Sequence, residues 1–473
     1  MNLRTRLRTT EVTRFLTFAA GLSLAASLIA GCSNAISPDA GSNIASAAVD
    51  VPVLITDAPS DQLASFSLTL NTIVLTDSAG KTVSILTTPT TVEICHLNGV
   101  QAPLITAKIP QDTYVSATIT FSNPQITYIS SAGQPVVATP VLATTSYTIT
   151  FPSAITIGNT STSLLVDLLA GQSVAISGTT VTVTPVFSLK PVPPATAVPP
   201  MGKNGTGMEQ MGTVVSVSGT TLVVQPGSGP NFTLTTNSST LLQGFTALSG
   251  LTAGELVEVD FTVQTGGVLL ASRIELEPAP PGGQPVNLLR GPVTAVTPGT
   301  SFKMVLMQGL GPSVMPVASS AVSVFTVTTN TSTVWAITPQ FVSLSGLPFT
   351  PSFSPTNVTA GQTVGVVASS VSGATAVAAN VYLIPQTVGG TITAKSTSGS
   401  YTVYTLTLAS GSAFASLSGA STITVYTSSA TVPMATTPIA VTSAVRFNGL
   451  IFNLGGGKFA MVAGCSPDGA PGP

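Results

Sequence analysis

Along most of the chain apolar and polar positions alternate one by one. Phe66-Ser-Leu-Thr-Leu, Ala117-Thr-Ile-Thr-Phe and Val181-Thr-Val-Thr-Pro each interleave β-branched or apolar residues with Thr or Ser. A period of two is the signature of a half-buried strand, here with a hydroxylated outer face. Turn signals such as Ser78-Ala-Gly80, Ser131-Ala-Gly133 and Ser177-Gly178 recur between these runs. Helical heptads are nowhere sustained. The pattern predicts an all-β chain built from sandwiches or barrels.

The first thirty-two residues break this pattern. MNLRTRLRTTEVTRFLTFAAGLSLAASLIAGC has a basic start and then a 16-residue apolar stretch, Phe15 to Ala30. That is the layout of a secretory leader, and it is short for a spanning helix. It ends in Leu28-Ile29-Ala30-Gly31-Cys32, which resembles the lipobox of bacterial lipoproteins. Small residues admit the peptidase, and the Cys32 thiol then takes a diacylglycerol thioether. Each buried CH₂ of the chains adds roughly 0.8 kcal/mol of anchoring. An uncleaved anchor with an incidental Cys32 is the lesser reading. Arg14-Phe15-Leu16 lacks the paired arginine of a twin-arginine leader. Ser33 after the cysteine resembles outer-membrane sorting. Residues 1–31 are thus expected to be a lipoprotein signal peptide and 32–49 a flexible tether.

Two Pro-rich stretches divide the rest: Lys190-Pro-Val-Pro-Pro through Met201-Gly, and Glu277-Pro-Ala-Pro-Pro-Gly-Gly-Gln-Pro. Read as extended spacers, they predict a β-sandwich over 50–190, a linker over 191–210, a small barrel over 211–277 and a second linker over 278–289. Internal repeats support a second barrel over 290–386. Leu251-Thr-Ala-Gly254-Glu-Leu-Val-Glu-Val matches Val358-Thr-Ala-Gly361-Gln-Thr-Val-Gly-Val. Gly212-Thr-Val-Val-Ser-Val precedes the one, and Gly291-Pro-Val-Thr-Ala-Val the other. A third copy begins at Gly390-Thr-Ile-Thr-Ala and fills 387–473 with a tail. It lacks a recognisable T-A-G turn and reads as a degenerate member. Two or three small barrels therefore follow the sandwich.

Charged residues make up 6% of the chain and hydrophobic ones 44%. Disorder usually combines low hydrophobicity with high charge, so this chain should fold. Removing the leader leaves 10 basic and 15 acidic residues, a net charge near −5, with no basic patch. Nucleic-acid binding, which needs Lys and Arg to displace phosphate counterions, is set aside.

Val53-Leu-Ile-Thr-Asp-Ala-Pro59, Leu97-Asn-Gly99, Ile109-Pro-Gln-Asp-Thr-Tyr114 and Ser188-Leu-Lys-Pro191 together resemble a family of bacterial surface lipoproteins. The function of its N-terminal domain is unassigned. The resemblance spans about 140 residues and implies an immunoglobulin- or transthyretin-like sandwich. The repeats resemble a second family of unknown function, small OB-like barrels often found in tandem on exported proteins. The second repeat departs from that pattern by a long insert, roughly Met304 to Thr356. Neither resemblance supplies a catalytic residue.

Candidate chemistry is sparse. His96 is the single histidine, next to Cys95 in Val92-Glu-Ile-Cys-His-Leu. Glu93, Cys95 and His96 cannot share one face of a strand, and a metal site usually needs three or four ligands. No metal site and no cofactor is expected. Cys95 and Cys465 are the thiols left for a disulfide once Cys32 is acylated, an allowed bond outside the cytoplasm but a demanding closure. Asp57 and Asp61 have the oxygen chemistry for Ca²⁺, although a turn capped by aspartate fits their spacing better. Glu258 and Asp260 share one strand face, which reads as solvated. No G-x-S-x-G motif or carboxylate pair marks a catalytic centre. Threonine ladders suit ice or crystal binding only if strict and flat. Their spacing in the sequence is irregular, so β propensity accounts for them. Trp335 reads as core. Met304 to Ala394 holds no charged residue at all.

These features predict a non-enzymatic, lipid-anchored cell-envelope protein. It would be held to the membrane by its N-terminal lipid, in the periplasm or on the surface, and would bind polysaccharide or an envelope protein. A structural spacer without a specific ligand is the rival expectation.

Overall fold

The computed structural model describes residues 47–466, apart from 58–59, 98–99, 159–161, 195–205, 228, 278–285, 315–323, 338–341, 410, 430 and 434–438. The leader, Cys32 and the tether lie outside the described residues. No helix among those described is long and apolar enough to cross a membrane.

The chain is all-β, as its periodicity predicts. The N-terminal part is a sandwich. One sheet orders Phe187–Val192, Ser163–Leu168, Ala48–Asp57 and Ala102–Pro110, with its middle pair parallel. The other is centred on the long antiparallel pair Leu63–Asp77 and Asp112–Ile129. Thr82–Leu86 and Thr90–Glu93 flank the pair on one side, Pro135–Ala138 and Ser146–Ile157 on the other. Alternation decides what faces inward. Ala117, Ile119 and Phe121 are fully buried against Phe66, Leu68, Val53 and Val166, while Ser116, Thr118 and Thr120 face out. The first sheet runs two residues into the Pro-rich stretch, through Pro191 to Val192. Phe187–Val192 is an edge strand, where a missing N–H is tolerated.

Three barrels follow with one pairing plan. The first is formed by Thr206–Ser218, Thr221–Pro226, Phe232–Thr235, Leu256–Val263 and Leu269–Leu276. The second uses Asn287–Thr297, Ser301–Val305, Val324–Thr328, Thr363–Ser372 and Thr375–Leu383. The third uses Gln386–Ser398, Tyr401–Leu408, Thr422–Thr427, Ala444–Gly455 and Lys458–Ser466. In each, the opening strand pairs with the second and fourth, and the third closes onto the fifth in parallel. That is the OB order.

Two devices recur at matching positions. Gly212, Gly291 and Gly390 sit where the opening strand bends over the second, just before a bulge in each barrel. A Cβ on Gly291 would lie 1.7 Å from the Val305 oxygen, and one on Gly390 2.1 Å from that of Thr407. The T-A-G turn is the second device. The Gly254 amide donates to Val214 O and the Gly361 amide to Val293 O, both with φ of +94°. The third barrel makes the same bond from Thr442 to Ile392 O, at φ +77°. Its turn is therefore present as Ala440-Val-Thr-Ser443, hidden because threonine stands where glycine is expected.

The four units are not held apart, contrary to the reading of the Pro-rich stretches as spacers. Leu54, Leu165 and Val192 of the sandwich complete the core of the first barrel. Met211 and Leu256 pack with Leu288, Leu310 and Val367 across the first and second barrels. Leu450, Phe452 and Val462 of the third barrel enter the core of the second. Ala64 and Ile129 of the sandwich meet Val305 and Ala413, so sandwich, second and third barrels share one cluster. The driving force is burial of apolar faces that small barrels leave open.

A β-branched residue in the left-handed region is strained by roughly 1–2 kcal/mol. Thr442→Gly should therefore raise unfolding free energy by about 1 kcal/mol, after the entropic cost of glycine, as measured by chemical denaturation.

Candidate functional site

The outer face of the second sandwich sheet carries a regular array. Across the strands, Thr72 lies opposite Thr120, and Thr120 opposite Ser146. The next row is Ser84, Val74, Thr118 and Thr148, and the one after it Thr82, Thr76, Ser116 and Thr150. Every position but Val74 carries a hydroxyl, and none carries a charge. Rows and columns repeat at about 4.8 Å across strands and about 6.8 Å along them. Thr72 and Thr120 are hydrogen-bonded at 2.6 Å, Thr118 and Thr148 at 3.1 Å. The central members are half-buried and the outer ones exposed. Register shifts at Leu70/Thr72, Thr76/Asp77 and Tyr114/Ser116 bracket the array. A further shift at Ile73/Val74 lies inside it, toward Thr82–Leu86, and Val74 interrupts the hydroxyls of its strand, so the spacing along the sequence is irregular although the three rows are in register.

Glu93, Cys95, His96 and Trp335 take part in turns and packing. Glu93 is 2% exposed and accepts the amides of Phe66, Cys95 and His96 at 2.9, 3.2 and 2.8 Å. Its second oxygen meets His96 Nδ1 at 3.0 Å. Cys95 and His96 lie in the turn after the strand rather than on it, and Glu93 caps that turn. Cys95, one of the two thiols that the sequence leaves open for a disulfide, is free. Cys95 belongs to the wall of the sandwich, whereas Cys465 pairs with Asn448 and Val432 at the end of the last barrel strand. Burial, then the nearby Glu93 and Asp57 charges, push the Cys95 thiol well up, the reverse of a reactive cysteine. Trp335 packs on Phe302 and Phe353, with ring centroids 6.3 and 5.2 Å away. Among the described residues no three Cys, His, Asp or Glu side chains converge on a common point.

Glu258 and Asp260 are not solvated. They are 4% and 8% exposed, at the seam between the first and second barrels. Arg273, opposite Asp260 in register, bonds Glu258, Glu275 and, at 2.7 Å, Asp260. Arg290, from the opening strand of the second barrel, reaches Glu258 at 2.9 Å. The strand pattern showed which face these acids share, but only the neighbouring barrel and its arginine decide that the face is covered. Glu277 lies beside them. Burial first, and then the Glu258 charge, raise its carboxyl to about 7, while Arg290 and Arg273 pull it down.

Residues 211–275, the first barrel, match the model of a domain of unknown function, DUF5666. No curated protein matches the chain.

Two predictions concern the seam. Arg273→Met takes from Asp260, Glu258 and Glu275 the cation they share, leaves Arg290 on Glu258 alone, and should cost about 3–5 kcal/mol of stability by denaturant titration. Glu277 has a folded-state pKa above its unfolded value. Its contribution is fully present below pH 4.5 and is lost as pH rises through about 7. Glu277→Gln should therefore stabilise the protein above pH 7 by up to about 3 kcal/mol, with the gain shrinking as pH falls in parallel melts.

Proposed function

We propose that this is a non-enzymatic, lipid-anchored cell-envelope protein whose sandwich binds a neutral polysaccharide through its hydroxyl array. The array carries the reading. A charge-free sheet of evenly spaced hydroxyls offers donors and acceptors at repeating intervals, suited to an extended chain of sugar hydroxyls rather than to an acidic or basic partner. The T-D-A-P segment at Thr56-Asp57-Ala58-Pro59, resembling that of surface lipoproteins, and the lipobox at Cys32 support attachment outside the cytoplasm. The first barrel's family match adds a module of unknown function. The shared cores between units favour the second reading, a rigid scaffold without a specific ligand.

The deciding experiment is retention of the purified protein on insoluble neutral polysaccharides, with cellulose and chitin as probes. Saturable retention, lost in Thr118→Lys/Thr148→Lys with an unchanged melting temperature, is expected. Equal retention of the variant, or none by the parent protein, leaves the scaffold reading.

A further inference from the structure

Where the sandwich meets the second and third barrels, Asp57, Asp61 and Cys95 line a cavity of about 70 Å³ together with Gln386, Thr387 and Phe414. Asp57 ends the strand Ala48–Asp57 and is 3% exposed, and neither of its carboxylate oxygens has a hydrogen bond of good geometry, the Ala170 amide giving it only weak support. A buried carboxylate without a strong partner is costly, and such a group pairs, coordinates a metal or takes up a proton; burial, then the Asp167 and Glu93 charges, push the Asp57 carboxyl well up. Asp61, four residues on in the sandwich, reaches across the junction, its Oδ2 accepting the Gly389 amide at 2.8 Å. Asp167 and Glu93 lie close enough to Asp57 to repel its charge, and Arg446 is the cation that opposes them. Acids outnumber cations around this cavity.

We infer that the cavity is a binding site for a hard divalent cation, Ca²⁺, held by the Asp57 and Asp61 carboxylates. This departs from the expectation of no metal. The donor set selects the ion. A zinc site wants three or four nitrogen or sulfur ligands. Here His96 is bound to Glu93, and Cys95 is kept as a thiol by burial and its acidic neighbours. Mg²⁺ demands a small, near-ideal octahedron, whereas Ca²⁺ accepts six to eight oxygens in loose geometry from carboxylates, carbonyls, amide side chains and water. One water needs roughly 10–15 Å³ of such space, so the cavity has room for an ion with part of its shell. The ion would supply Asp57 with a strong partner.

The test is titration of CaCl₂ into the chelator-treated full chain, followed by calorimetry and thermal melting. One saturable binding event and a rise of several degrees in Tm are expected. Asp57→Asn should abolish both, while melting in calcium-free buffer no lower than the parent, because it removes a charge without a strong partner. A further readout uses the parent protein alone. Calcium should slow alkylation of Cys95 severalfold, followed by peptide mass spectrometry, because that thiol shares the cavity. Absence of calcium heat with unchanged Tm and Cys95 alkylation overturns the site. So does an Asp57→Asn variant that responds to calcium as the parent does.

Discussion

A barrel of about 60 residues buries only about 60% of the surface its unfolded chain exposes, and every other feature of this architecture answers to that constraint. Two of the three barrels do not close their cores alone, whereas the third fills its own and lends residues to the second. The first is completed by Leu54, Leu165 and Val192 of the sandwich, and the second by Leu450, Phe452 and Val462 of the third. The bends at Gly212, Gly291 and Gly390 let each opening strand serve two neighbours, which closes the barrel but leaves apolar residues on its outside for the next unit to cover.

The scarcity of charge has a spatial counterpart. Arg273 and Arg290 are spent on Glu258, Asp260 and Glu275 inside a seam, and Glu93 on a turn. With so many of the few charges turned inward, the sandwich meets solvent through threonine and serine. A hydroxyl surface of this kind remains hydrated without long-range fields, so salt screening has little to act on. Contact with a partner would depend on shape and spacing.

The period of two made the strands and the all-β class legible, and the paired T-A-G turns made two barrels legible. The third was obscured at one residue: Thr442 occupies the left-handed position that Gly254 and Gly361 fill. A second repeated device also went unread. Thr240, Thr333 and Thr431 each donate to a carbonyl of the fifth strand, at Ala271, Ala378 and Ala463. Asn237-Ser-Ser-Thr240 and Asn330-Thr-Ser-Thr333 carried that signal, but it is lost against a Thr-rich background. The hydroxyl array was illegible because register is a property of two strands at once. The burial of Glu258 and Asp260 depends on Arg290, which belongs to the neighbouring barrel. The junction acids were visible as Asp57 and Asp61, but nothing near them in sequence announces residues 386 and 387 across the cavity.

The bond from the Gly389 amide to Asp61 joins residues 328 positions apart. A contact of that span cannot form until almost the whole chain is available, and closing so long a loop carries an entropic cost that local pairings do not. As the chain is made from its N-terminus the sandwich is complete first, with Ala64, Ile129 and the Asp57 cavity uncovered until the last barrel arrives. Assembly therefore has a direction, and its final docking step falls to the last segment to arrive. Until then the apolar junction is open to other chains, and the crowding of neighbouring copies bears on yield more than the intrinsic speed of any single barrel.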